Sequence, residues 1–191
     1  MSTAESNKIR IDNVRLSFPD LFEATQFDGQ GDYKYGATFL VDPGSAADKA
    51  IRAKIDAVAA AKWGAKAPAI VKAQYAKNSS QSFCYYTGDT KAYDGYEGKM
   101  ALSCKRDVSK GRPGVYDVDR SPLQPEDGKP YAGCYVNATV EFWAQDNQFG
   151  KTVRCTLVGV QFASDGDAFS AGSKPSEDDF ADLSEGADAL A

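Results

Sequence analysis

Residues 8–19 read KIRIDNVRLSFP. Ile9 and Ile11 alternate in one phase, whereas Val14, Leu16 and Phe18 alternate in the other. Successive side chains of a strand point to opposite faces, so no single strand keeps one buried face through such a change. The stretch therefore predicts a strand interrupted by a β-bulge or sharp bend near Asp12 and Asn13. A strand that bends in this way belongs in a sheet that curls and closes on itself.

The flanking sequence supports that reading. Residues 1–7, MSTAESN, are polar and are expected to fray. Residues 33–41, YKYGATFLV, alternate Tyr33, Tyr35, Ala37, Phe39 and Val41 and predict a second strand. The period then changes. Asp42-Pro43-Gly44 makes a turn, Ser45 caps, Asp48 completes the capping pattern, and Ile51, Ile55 and Val58 recur at helical spacing. Pro68 opens a second short helix that runs to about Lys77, with Ile70 and Val71 inward. The cations of these helices read as a solvated face. From Ser82 the pattern is β again in SFCYYT, KMALSCKR, CYVNATVEFWA and TVRCTLVGVQF, separated by long turn-rich loops. About six strands with a helical insertion at about 45–77 fit a mainly β, Greek-key barrel better than a sandwich.

Charge divides the chain unevenly. Residues 1–163 carry 21 Lys and Arg against 19 Asp and Glu, while residues 164–191 carry one against eight. The acidic net charge of −5 thus belongs to the C-terminal stretch and conceals a mildly basic body, the asymmetry of a core that attracts polyanions. Residues 176–191, SEDDFADLSEGADALA, hold too little apolar area to offset about 1–2 kcal/mol of backbone entropy per residue, and predict a disordered acidic tail over 164–191. One domain over 8–163 is the simplest organisation for the remainder.

Several chemistries are disfavoured by the residues at hand. The chain has no histidine, which removes the usual general base and the commonest zinc ligand. Cys84, Cys104, Cys134 and Cys155 form no C-x-x-C pair and stand in apolar, strand-like contexts, so reduced core thiols of a cytoplasmic protein are expected. Neither a signal peptide nor a membrane-length apolar run is evident, and no membrane association is expected. DGQGDYK has glycines without the rest of a phosphate loop. Asp117 and Asp119 form a D-x-D that leaves a metal-dependent nuclease or other DNA-processing enzyme as the rival enzyme reading, although carboxylates in such loops usually form turns. No metal or cofactor is expected.

Interleaved aromatic and basic residues give the stronger signal. Tyr93 and Tyr96 lie close to Lys99, and Lys105, Arg106, Lys110, Arg112 and Tyr116 follow within a dozen residues. In the strand from Tyr135, Val136, Ala138, Val140 and Phe142 make a core face. The opposite face carries Tyr135, Asn137, Thr139, Glu141 and Trp143, and Lys151 and Arg154 enter beside it from the next strand. Every nucleobase offers a flat π-face, so exposed rings stack on successive bases at about 1–3 kcal/mol each without reading sequence, while cations neutralise phosphates. The candidate stacking residues are Tyr93, Tyr96, Tyr116, Tyr135 and Trp143. The candidate phosphate contacts are Lys99, Lys105, Arg106, Lys110, Arg112, Lys151 and Arg154. The competing reading packs these rings under a loop or between the two copies of a homodimer.

In order and separation, RLSFPDLFEA, YKYGATFLV, RPGVYD, YAGCYVNATVEFWA and SEDDFADL resemble the single-stranded DNA-binding proteins of bacteriophages. The resemblance runs from about Val14 to Leu183. It implies a variant OB-fold, a non-catalytic role in coating and protecting single-stranded DNA during phage replication or recombination, and an acidic tail that contacts replication proteins such as a polymerase, helicase or primase. In that tail Asp178, Asp179, Phe180, Asp182 and Leu183 are the candidate partner-binding residues, suited to an apolar pocket with a basic rim. A protein-interaction module that never touches DNA is the third reading.

Overall fold

The computed structural model describes residues 6–27 and 29–169. The strand opened by the quoted stretch, β1 (Lys8–Phe27), is long enough to serve two neighbours. Its first half pairs antiparallel with β6 (Tyr135–Asn147) and its second half with β2 (Gln30–Val41). The bulge falls where the phase change places it. Between Ile11↔Ala138 and Val14↔Val136, β1 spends three residues against two, and Asn13 takes the left-handed φ of 53° that the extra residue demands. Asn tolerates that conformation better than most side chains.

The remaining strands are β3 (Tyr85–Thr87), β4 (Met100–Asp107), β5 (Gly114–Tyr116) and β7 (Gly150–Ser164). β2 pairs with β4, β6 with β7, and β4 meets β7 in parallel at Lys105↔Thr156. That last pairing closes β1-β2-β4-β7-β6 into a ring, the OB-fold closure, with β4 and β7 as third and fifth barrel strands. β3 adds to β4, and β5 adds in parallel to β7. The sequence pattern missed β5 because three residues cannot display a period.

Inside the ring lie Val14, Leu16, Phe39, Leu102, Val136 and Phe142, all buried. α1 (Ala46–Trp63), a 3-10 turn (Gly64–Lys66) and α2 (Ala67–Lys77) join β2 to β3 and add Ile51, Ile55 and Val58 to the same core. Ser45 caps α1 by accepting from the Asp48 N–H at 3.2 Å. The Asp48 side chain, itself buried, accepts from the Gly44 N–H (2.8 Å), from Arg52 Nε (2.8 Å) and from the Tyr85 hydroxyl (2.5 Å). Burial works against its charge, but these donors outweigh it and hold the carboxyl below its ordinary value. One carboxylate thereby ties the helical insertion to β3. All four cysteines are buried and unpaired in disulfides.

Both ends of the described body differ from expectation. The Asn7 carbonyl accepts from the Phe142 N–H at 3.1 Å, so Asn7 extends the β1 pairing instead of fraying, and the Ser6 carbonyl accepts from Lys54 Nζ at 3.1 Å. Residues 165–169, assigned to the tail by composition, are held against the body. The Arg15 guanidinium donates to the Asp167 carbonyl (2.7 Å), and the Phe169 N–H donates to the Ala132 carbonyl (3.0 Å). The rest of the expected tail, with its five candidate partner-binding residues, lies outside the described residues.

Candidate nucleic-acid interface

OB-folds characteristically take oligonucleotides on the outer face of the second and third barrel strands, here β2 and β4. Because Ala37 and Phe39 point inward, Gly36 and Thr38 point out, and their partners Lys105 and Ser103 on β4 share that side. Gly36 leaves a slot that Lys105 fills. A Cβ at residue 36 would stand 3.0 Å from Lys105 Cδ, so the lysine chain lies across the sheet with its ammonium on the face. That ammonium has no hydrogen-bond or ion-pair partner among the described residues.

On the other side of β2, β1 bulges a second time, between Ser17 and Asp20. Phe18 sits in that bulge at φ 46°, a left-handed conformation rarely adopted by a bulky residue, and its ring is 52% exposed. It meets Tyr93 edge-on with centroids 4.9 Å apart, and Tyr93 is 51% exposed. Strain of this kind persists only where the surroundings over-determine it. Beneath both rings lies Tyr96, 6.4 Å from Phe18 and 5.2 Å from Tyr93.

Tyr96 corrects the sequence assignment. It is 1% exposed, its hydroxyl donates to Ser17 Oγ at 3.0 Å, and burial raises its pKa. It packs with Leu40, Tyr86 and Ala101 as a second small core outside the barrel. It is therefore a foundation for the two exposed rings and offers no face of its own. Phe169 closes the same cluster: Gly95 has φ 80° and no Cβ, and an added Cβ would stand 2.5 Å from the Phe169 ring. The Arg15 guanidinium lies 4.3 Å over that ring. The described residues thus end at the rim of the β2–β4 face.

The other candidates scatter. Tyr116, 42% exposed, stands on β5 beside a separate groove, and Trp143, 44% exposed, faces out near the β6–β7 turn. Tyr135 is only partly exposed, with Arg15 5.8 Å over its ring and Gly166 against its edge, which removes it from the stacking set. Lys99 is ion-paired with Asp42. Arg106 donates to the carbonyls of Gly111 (2.8 Å), Leu157 (3.1 Å) and Lys110 (2.8 Å), and so braces the β4–β5 connection instead of facing phosphate. Arg154 is likewise engaged, with Gln145 Oε1 at 3.3 Å and the Gln81 carbonyl at 3.0 Å, and burial lowers its pKa. The Arg112 guanidinium lies 5.2 Å over the Phe22 ring. Lys110 and Lys151 remain exposed.

The carboxylates of the D-x-D are also engaged. Asp117 pairs with Lys129 at 3.1 Å, and Asp119 accepts from the Ser121 N–H (2.9 Å) and hydroxyl (2.5 Å), which lower its pKa. They shape a turn. No cluster of three His, Cys, Asp or Glu able to hold a metal occurs among the described residues, and no helix there is long and apolar enough to cross a membrane. Sequence reasoning missed three exposed rings. Phe18 was hidden by its alternation with Leu16, whereas Tyr33 (57% exposed) and Phe149 (84%), beside the β1–β2 and β6–β7 turns, carry a signal only once those turns are known to flank the face.

Residues 7–190 match the family described as Enterobacter phage Enc34, ssDNA-binding protein. The chain belongs to that family. Protein p50 of Acyrthosiphon pisum secondary endosymbiont phage 1 is 49% identical over 179 residues, 93% of this chain and 94% of that protein. Among solved structures, the single-stranded DNA-binding protein of bacteriophage Enc34 in complex with ssDNA aligns at a TM-score of 0.70 and 24% identity, covering 86% of this chain and 90% of that one. The single-stranded DNA-binding protein encoded by bacteriophage T7 aligns at 0.57 and 12%, covering 88% and 98%. At these identities the likenesses establish the fold shared by the Enc34-family chain and its neighbours.

Proposed function

We propose that this chain binds single-stranded DNA without catalysis, by stacking bases on Phe18 and Tyr93 and holding phosphates with Lys105 and neighbouring cations. The observation that carries the reading is the Phe18–Tyr93 pair: two half-exposed rings on the β2–β4 face, one of them held at φ 46° and both seated on the buried Tyr96. Rings that the fold could bury more cheaply are instead displayed where OB-folds take oligonucleotides. Family membership supports the same ligand. In a host-cell cytoplasm the protein would coat and protect replication or recombination intermediates. The acidic segment that follows Phe169 would compete with DNA for this face at high effective concentration, and Asp178, Asp179, Phe180, Asp182 and Leu183 would engage a replication protein when DNA displaces it.

The test is a fluorescence titration of oligothymidine with the full chain, with Phe18→Gly and with Tyr93→Ala. Each variant is expected to lose about 1–3 kcal/mol of affinity, roughly fivefold to 150-fold. Glycine relieves the left-handed strain, so Phe18→Gly should also melt above Phe18→Ala by about 1 kcal/mol of stability. Unchanged affinity in both folded variants would sink the stacking assignment.

A further inference from the structure

A groove of about 430 Å³ lies over β5, β7 and β6, away from the Phe18–Tyr93 pair. Its floor is bare because two glycines face each other, Gly114 on β5 and Gly159 on β7. The Tyr116 ring folds back onto Gly114: a Cβ there would stand 2.7 Å from Tyr116 Cε2. The ring is therefore seated against backbone on one side while 42% of the residue stays exposed. At the rim, Arg120 occupies a turn at φ 70°, closed by its own N–H to the Asp117 carbonyl at 3.0 Å. Gln161 Nε2 pins that turn through the carbonyls of Asp117 and Val118, each at 3.3 Å. The Arg120 guanidinium has no partner among the described residues, and Arg10, from β1, is paired only with exposed Asp12. An exposed pair of that kind contributes little and yields readily to another anion.

We propose that this groove is a second station for the same single strand, stacking a base on Tyr116 and taking phosphates on Arg10 and Arg120. The inference rests on the reading of the β2–β4 face as a DNA site. Continuity favours nucleic acid over any other anion. β4 meets β7 at Thr156, and β5 takes over the same edge at Gly159 through Gln161, so Lys105 and Tyr116 are separated by five residues of β7, about 17 Å. The connection between β4 and β5 carries the exposed Lys110, while the Arg112 guanidinium is turned onto the Phe22 ring. A strand leaving the first face therefore passes from Lys105 by Lys110 to a waiting ring.

Two stations predict an effect that depends on ligand length. A six-nucleotide and a thirty-nucleotide oligothymidine would be titrated with the full chain, with Arg10→Ala/Arg120→Ala, with Gly114→Ala, which displaces the Tyr116 ring, and with the charge-matched Lys62→Ala/Lys66→Ala. For the groove variants, affinity for the long oligomer should fall tenfold or more and each protein should occlude fewer nucleotides, with the short oligomer held within twofold. The charge-matched control should show no such split. Equal losses on both oligomers, or no loss on either, would overturn the second station while the first survives. If the unaltered chain binds neither oligomer, the reading of the β2–β4 face itself fails.

Discussion

The helix-covered end of the barrel and its β2–β4 face use the same residue types for opposite ends. At the first, Asp48, Arg52 and Tyr85 satisfy one another, with the Arg52 guanidinium 5.3 and 5.5 Å over the Tyr75 and Tyr85 rings. At the second, Lys105 has no ionic partner among the described residues, and Phe18 and Tyr93 keep about half their surface in water. Aromatic and charged side chains hold a structure where they find each other, and recognise a ligand where they do not. Composition alone cannot separate the two uses.

The largest effect expected from breaking that comparison is at Asp48. Asp48→Ala leaves the Tyr85 hydroxyl and the Gly44 N–H without their acceptor and should cost about 2–3 kcal/mol, read by urea unfolding, with DNA affinity unchanged while the protein is folded. The pH dependence has a definite sign. Because the folded carboxyl sits below its ordinary value of 3.8, its stabilisation is fully present above that pH and is lost as pH falls through the lower folded value. Asp48→Asn should therefore flatten the acid limb of the stability profile. An unaltered acid limb would show that other carboxylates govern it.

How much of this was legible in the sequence depends on whether a residue's neighbours are local. The first β1 bulge was readable because Ile9 to Leu16 carry their own phase record, and α1 because Ser45, Asp48 and Ile51 supply cap and period together. The second bulge was not. Alternation groups Phe18 with Val14 and Leu16, yet the extra residue between Ser17 and Asp20 turns its ring out of the barrel. Tyr96 fails for the converse reason, since a loop residue has no period and its burial is decided by Ser17 and Leu40, distant in sequence. Arg106 and Lys105 are adjacent and chemically alike, and only the carbonyls of Lys110, Gly111 and Leu157 distinguish them.

That adjacent pair gives the next contrast. Arg106→Ala should lower stability by about 1–2 kcal/mol through loss of three bonds to backbone carbonyls, with a smaller effect on affinity. Lys105→Ala should leave the melting temperature nearly unchanged, weaken oligothymidine binding, and reduce the slope of log affinity against log salt by about 1. If the two variants behave alike in both assays, the division between structural and ligand-facing cations on this edge is wrong.

The smallest expected effect separates the ring beneath the face from the ring upon it. Tyr96 and Tyr93 have centroids 5.2 Å apart, but only Tyr96 places its hydroxyl in the protein, on Ser17. Tyr96→Phe keeps the packing against Leu40 and Ala101 and deletes one buried hydrogen bond, a loss of about 1 kcal/mol. Because the support under Phe18 and Tyr93 is unchanged in shape, affinity for oligothymidine should stay within about threefold, under 1 kcal/mol. Chemical denaturation and titration on the same preparation read both quantities. The outcome should mirror Tyr93→Ala, which removes surface and leaves the buried contacts of Tyr96 in place. Were Tyr96→Phe to weaken binding as strongly as Tyr93→Ala, the buried hydroxyl would have to be orienting the exposed rings, and the boundary between foundation and binding surface would move outward by one residue.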